Sequence, residues 1–484
     1  MHFTAGMLDR NFSGDGRLAL PTEIRFTDLA SVDGGAVIVA GISVAPADSG
    51  GGDDASLYVR KYRKTGTLDR GFARNGTFRM PLLDGAEPSS FNARVVALPD
   101  GRIVIAAGDI ILRLRSSGDF DPTFSQDGVA TVDAIVRSAA VDENGQITLA
   151  AFNQILRLRA NGRPAPVFSG DGRLPLPIAI EHGGIFTDAW HVVVAPDNDI
   201  LVSGIVTTAD AGATNALARI TLTGALRGAW GTERGIRLLG FTYGGTPTAP
   251  ALAADGTFFV GETNDDLYVS LFHFSSDGAS TISRDEGLLP GDYRDQAVAD
   301  IAVQADGKLV IAGSVRQPFD ENVFGDNTAV QRLKDDRSPD TTFNGGNTTL
   351  IDHTTGPHVN NGAIGLSLTT DGDIITLSEI RTFNRKTYTL ARVDGNGDAP
   401  SFASISRTGT LLVAGTSEDD RVTISAFDDG TTRVTVNLES ILIGHYRRVA
   451  VDVFGGEDIV ELNVRTPSTV LNAEMTINRR EVIR

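Results

Sequence analysis

Cysteine is absent from the 484 residues, which excludes disulfides, thiolate metal sites and a cysteine nucleophile together. Long apolar runs are absent as well. No stretch of about 18 apolar residues occurs, so no membrane-spanning helix is expected. Clusters of Lys and Arg are also missing. Asp and Glu outnumber Lys and Arg by 61 to 43, and the net charge of −18 opposes binding to nucleic acid. The N-terminal MHFTAGMLDRNF lacks the pattern of a signal peptide, so the chain is expected to stay inside the cell or to follow a removed leader. None of the motifs G-x-S-x-G, H-E-x-x-H or G-x-x-x-x-G-K-[ST] occurs, which leaves no nucleophile elbow, zincin helix or phosphate loop.

Glycine is abundant at 54 residues without a collagen-like period, as many tight turns between antiparallel strands require. A phrase of an aromatic, a Gly and a short strand recurs. It begins at Phe12 (FSGDGRLAL), Phe72 (FARNGTFRM), Phe124 (FSQDGVATV), Phe168 (FSGDGRLPL), Trp230 (WGTERGIRLL) and Phe343 (FNGGNTTLI), with a degraded copy near Asp285 to Leu289. Between the copies stands a turn followed by an apolar strand, as in AVIVAG after Gly35, RIVIAAG after Gly101 and KLVIAG after Gly307. A third phrase, a strand carrying a basic residue, places Lys61, Arg113, Arg157, Arg219, His273, Arg332 and Arg392.

Each unit of roughly 45 to 60 residues therefore reads as four short antiparallel strands, one propeller blade. Because the aromatic and the basic residue recur in nearly every unit, both are expected to position blades: the aromatic packs between them, and the Arg pairs with a turn Asp or with carbonyls. The chain opens with a tail phrase and its last unit lacks one. Residues 8–20 are thus expected to supply the missing outer strand and close a seven-bladed ring. The expected organisation is all-β, a seven-bladed β-propeller over 1–403 and a small β-solenoid-like domain over 404–484. An eighth head at ISRTGTLLVAG from Ile405 is the alternative.

The units resemble the delta-60 repeat of bacterial, often exported or cell-surface, proteins. VQADGKLVIAG (303–313), ALARITLTG (216–224) and GDFDPTFSQDG (118–128) carry the resemblance, which covers about residues 8–402. It implies the propeller fold and brings no catalytic residues. The tail, with LLVAGTSEDDRVTISAFDDGTTRVTVN and RRVAVDVFGGEDIVELN, resembles calcium-binding haemolysin-type β-solenoids. That resemblance implies calcium at turns bearing Asp419, Asp420, Gly455 and Asp458, although the glycine pattern is incomplete.

Other candidates are weaker. Asp394, Asn396 and Asp398 begin like a calcium loop but fall where other units turn. His353 and His358, Glu181 with His182, and His191 have no carboxylate at matching spacing and read as bystanders. The acidic insertions at 49–56 and 318–327 fall between second and third strands and so share one face of the disc, where loops commonly bind. The expected function is non-enzymatic binding or adhesion to a protein or glycan, by a monomer of secreted or cell-surface location, with a cytoplasmic one left open. A lyase- or hydrolase-type enzyme at the axial mouth and a scaffold fragment of a larger surface protein are the alternatives. Polar residues converging on that mouth would favour the enzyme.

Overall fold

The computed structural model describes residues 5–9, 11–45, 54–82, 92–179, 184–208, 212–231, 234–242, 247–263, 269–283, 296–320, 323–334, 336–351, 353, 360–382 and 385–395. In the tail it describes 403–405, 410–414, 421–426, 432–436, 439–443, 448–452, 459–464, 475–478 and 482–483. The elements are strands, with two short 3-10 turns at Asp33–Gly35 and Asn344–Gly346 among the described residues.

Antiparallel up-and-down sheets follow one another along the chain. Sheet 1 holds Arg25–Val32, Ala36–Ala45, Asp54–Tyr62 and Thr77–Pro81. Sheet 2 holds Ala93–Ala97, Ile103–Ala107, Ile110–Leu114 and Val129–Thr131. Sheet 3 holds Val136–Val141, Ile147–Ala151, Gln154–Leu158 and Arg173–Pro175. Sheet 4 adds a short leading strand, Ile178–Ala179, to Gly184–Val194, Ile200–Thr208, Gly212–Ile220 and Ile236–Thr242. Sheet 5 holds Ala251–Leu252, Phe258–Thr263, Val269–Phe274 and Ser280–Ser283. Sheet 6 holds Gln296–Val303, Leu309–Asp320, Val323–Leu333 and Thr349–Ile351, and a single parallel bridge from Asp326 to Asn360 joins it to sheet 7. Sheet 7 holds Asn360–Leu368, Ile374–Thr382 and Arg385–Val393, and its outer strand is the N-terminal Arg17–Ala19, in register Arg17 to Ala391.

The second strands are apolar on both faces because each lies between two neighbours, and IVIAA of sheet 2 is buried throughout. Among the described residues, hydrophobic cores fill the seams between neighbouring sheets. Ile105 and Leu57 meet between sheets 1 and 2, and Phe26 and Leu390 between sheets 1 and 7.

The recurring residues occupy those seams. Phe12, Phe72, Phe124, Phe168, Trp230 and Phe343 are all buried. The residue after each of five of them turns into the left-handed region and donates its N–H to a turn carbonyl of the next sheet. Ser125, with φ 50°, reaches Asn161 O at 2.8 Å, and Ser169, with φ 54°, reaches Thr223 O at 2.9 Å. Gly118, with φ 85°, sits so close to Phe72 that a Cβ there would lie 2.6 Å from Ala73 N.

The basic residues clamp as expected. Arg113 donates through Nε to Asp121 at 2.7 Å and through Nη1 to Ala160 O of sheet 3. Arg219, Arg332 and Arg392 likewise combine a carboxylate with a carbonyl of the following sheet: Ser276, Gly395 and Gly35. Arg157 differs by bonding Asp142 and Thr148 within its own sheet.

The N-terminal segment contributes more than a strand. Gly6 N donates to Asp394 O, Asp394 N to Met7 O, and Asp9 N to Arg392 O. Residues from Ala5 onward thus act as the hairpin of sheet 7, so the donated piece begins earlier than residue 8.

One expectation is revised. Residues 318–320 and 323–327 are paired strand, with Pro318 opposite Phe324 and Asp320 opposite Val323, where an open loop was expected. Thr410–Ala414, within the segment that gave the eight-bladed alternative, pairs antiparallel with Ala403–Ile405 and parallel with Arg448–Asp452. The tail contains two parallel ladders: Thr410–Ala414 with Arg448–Asp452 and Met475–Asn478, and Arg421–Ala426 with Ile459–Val464 and Val482–Ile483.

Candidate functional site

The first strands of sheets 1 to 7 enclose a cavity of 310 Å³. Its wall is mostly small and aliphatic, with Ala30, Val96, Ala139, Val193, Ala251 and Ala299. Several of the polar residues that reach it carry bonds between sheets. Asp28 Oδ2 accepts from Val95 N at 2.9 Å, and Asp300 Oδ2 from Leu366 N at 3.0 Å. Arg94 Nε donates to Arg137 O at 2.6 Å, Val192 N to Ser138 Oγ at 3.2 Å, and Ser31 N to Ser367 Oγ at 2.9 Å. Bulges at Phe26/Asp28 and Val298/Asp300 turn these carboxylates sideways toward the neighbouring sheet. The axis therefore gathers polar groups already occupied in stapling the sheets.

Among the described residues, no group of three or more His, Cys, Asp and Glu could hold a metal ion. Asp419, Asp420, Gly455 and Asp458 lie outside the described residues, as do Glu181, His182, His358, Asn396 and Asp398. Asp394 is a turn residue of sheet 7. His191 lines the axial cavity. Both ring nitrogens of His353 are buried and without a partner among the described residues, and burial, then nearby Arg17, push it down to about 4.

Two features escape a reading based on the repeat. The first is an array on the face carrying the hairpins between second and third strands. Sheet 3 ends this hairpin early, at Phe152 and Asn153, whereas the second strand of sheet 4 is four residues longer, about 13 Å at strand rise. At this step the Arg137 guanidinium lies 4.9 Å from the Phe152 ring centroid and 5.9 Å from that of Trp190. Its Nη1 donates to both oxygens of Asp188 at 2.8 Å. Phe152 is 60% exposed, and Ile135 and Ile185 are exposed nearby.

The second is Glu262, which is 1% exposed. Asn215 Nδ2 donates to its Oε1, while Oε2 has no partner among the described residues. Burial pushes this carboxyl up to about 7, the Asn215 hydrogen bond pulling the other way. In the sequence it stands where the other units have Gly41, Ala107, Ala151, Gly204, Gly313 and Ser378. A large residue after the apolar run was the available signal.

A family model described as "Domain of unknown function (DUF5122) beta-propeller" matches residues 98–124. That span holds the clamp Arg113, its partner Asp121 and the seam aromatic Phe124. The all-β chain, with its four-stranded sheets, is a β-propeller protein. No curated protein matches it.

Three solved structures are similar in part. One, described as a provisional gluconolactonase, is 13% identical with a TM-score of 0.36, covering 64% of this chain and 94% of its own. A gluconolactonase from Xanthomonas campestris is 13% identical with a TM-score of 0.34, covering 60% and 82%. A protein of unknown function from Dyadobacter fermentans is 8% identical with a TM-score of 0.39, covering 78% and 99%. At these values the likeness carries no argument about chemistry.

Proposed function

We propose that this chain is a non-enzymatic binding protein: a seven-bladed ring of delta-60-like units closed by its N-terminal strand, with a C-terminal β-solenoid, in an exported or cell-surface setting. The ligand is a protein or glycan, and the docking surface is the step between sheets 3 and 4. The observation that carries this reading is the Phe152–Arg137–Trp190 array. Aromatic and Arg side chains dominate binding energy where they can be desolvated together, and Asp188 fixes the guanidinium before a partner arrives. The axial alternative is less favoured because Asp28, Arg94, Ser138 and Asp300 are engaged between sheets.

An array of immobilised glycans and surface proteins tests the proposal, probed with the unaltered chain and with Phe152→Ala and Arg137→Ala. The expected result is at least one ligand whose binding weakens by about tenfold or more in both variants, the scale of a hot-spot residue. A flat response from the unaltered chain, or equal binding by the variants, would overturn it.

A further inference from the structure

Sheet 5 is the exception within the ring. Its first strand is the two-residue Ala251–Leu252, its clamp position holds His273, and its outer strand lacks the seam aromatic. It also carries Glu262 where other sheets need a small residue. In sheets 4 and 6 that position presses on the first strand, and a Cβ on Gly204 or Gly313 would lie 2.0 or 1.9 Å from the carbonyl oxygen of Asp188 or Ala297. Opposite Glu262 the first-strand segment of sheet 5 is reduced to a single bridge at Pro247, outside the ladder of Ala251–Leu252.

Alternation places Glu262 on the same side as Phe258 and Val260, which pack with Leu201 and Leu217 of sheet 4. The carboxyl therefore lies in the seam between sheets 4 and 5. Facing it from sheet 4 are Asn215 and, one step along the second long strand from Leu201, Ser203, a buried hydroxyl without a partner among the described residues. The charged and titratable groups on that side of sheet 4, among the described residues, are His191 opposite Ser203, Arg237 opposite Leu217, and Arg219. Arg219 is held by Asp197 and Asp199. From sheet 5 itself the neighbour across the ladder is Ser270, with Pro247 bridged on the other side. None of these cations enters the balance on Glu262, which is set by burial against one amide hydrogen bond.

We propose that Glu262 is a proton-operated latch: neutral, it lets sheet 5 dock on sheet 4, and ionised in the apolar seam, it releases sheet 5. A buried carboxylate with one oxygen unpartnered is costly, whereas the neutral acid is tolerated. Opening returns the group to water, where its ordinary value is 4.5 against about 7 in the seam. The docked state therefore has its full advantage below about 4.5, loses it as pH rises to about 7, and changes no further above.

Hydrogen exchange read by mass spectrometry between pH 5 and 8, corrected for the intrinsic rate, tests the latch. Sheet 5 strands Phe258–Thr263 and Val269–Phe274 are followed against Ile103–Ala107 of sheet 2. The expected result is an opening equilibrium in sheet 5 that rises about tenfold or more between pH 5 and 7.5 relative to sheet 2. Glu262→Gln, which keeps the shape and cannot ionise, should flatten the rise. Exchange in sheet 5 that parallels sheet 2 in the unaltered chain overturns the proposal, even if the variant does not fold. So does an undiminished rise in Glu262→Gln.

Discussion

Arg392 donates through Nη1 to the carbonyl oxygen of Gly35 at 2.8 Å, joining the last sheet to the first across 357 residues of sequence. The same guanidinium donates through Nε to Asp373 at 2.7 Å and through Nη2 to Asp371 at 2.8 Å, and it is fully buried. Arg392→Ala leaves the buried Asp373 without its cation, while the half-buried Asp371 keeps Lys64, and a loss of about 3–5 kcal/mol is expected in urea unfolding. Arg392→Lys retains the charge without the fork and should lose less. If both variants unfold like the unaltered chain, this contact does not hold the first and last sheets together.

The N-terminal segment completes sheet 7 from Ala5 to Ala19. A chain lacking residues 1–20 exposes the free edge of Arg385–Val393 and uncovers Leu390 and Tyr388. It is expected to melt at lower temperature and to associate as its concentration rises, because an open edge invites pairing. Thermal melts at two concentrations with sedimentation check both effects. An unchanged melt would mean that the ring does not depend on the donated strand.

The regular part of this architecture was legible because each repeated residue has one repeated task. Gly118 and its counterparts turn where a side chain would strike the neighbouring sheet, Phe124 fills a seam, and Arg113 joins two sheets. Such tasks survive in most copies, so self-similarity reveals them. Glu262 was not legible because its burial comes from Asn215 in another unit and from a shortened strand, Ala251–Leu252. In the string TFFVGET it looks like an ordinary polar flank. Arg137, Phe152 and Trp190 come from two units and meet only through packing.

Sheet 5 invites a repair. His273 occupies the clamp position and stacks on Phe259 at 4.4 Å between centroids. Thr257 stands where sheets 4 and 7 place the clamp carboxylates Asp199 and Asp373. His273→Arg alone buries a guanidinium without its principal partner, and Thr257→Asp alone adds an unpaired carboxylate, so each should lower the melting temperature. The double variant restores the pair and should be more stable than either single one, with a coupling of about 1–3 kcal/mol in a double-mutant cycle. Additive singles would show that the clamp cannot be transplanted into this sheet.

Acid should weaken the clamps in a defined window. Burial alone would raise the carboxyl of Asp121, but hydrogen bonds from Thr123 and the Arg113 guanidinium outweigh it and hold it at about 2; Asp340 is held at about 2 in the same way by Thr342 and Arg332. Both values lie below the ordinary 3.8, so their stabilisation is complete above about 3.8 and is lost as pH falls toward 2, about 2 kcal/mol for each. Asp373 acts with the opposite sign. Burial, resisted by Arg392, pushes it up to about 6, so its effect is spent by 3.8 and does not overlap that window. Urea unfolding at pH 4, 3 and 2.5 should show a steep decline in the unaltered chain. Asp121→Asn, less stable at neutral pH, should show a shallower decline. Equal slopes would assign acid sensitivity to other groups and remove Asp121 from the account.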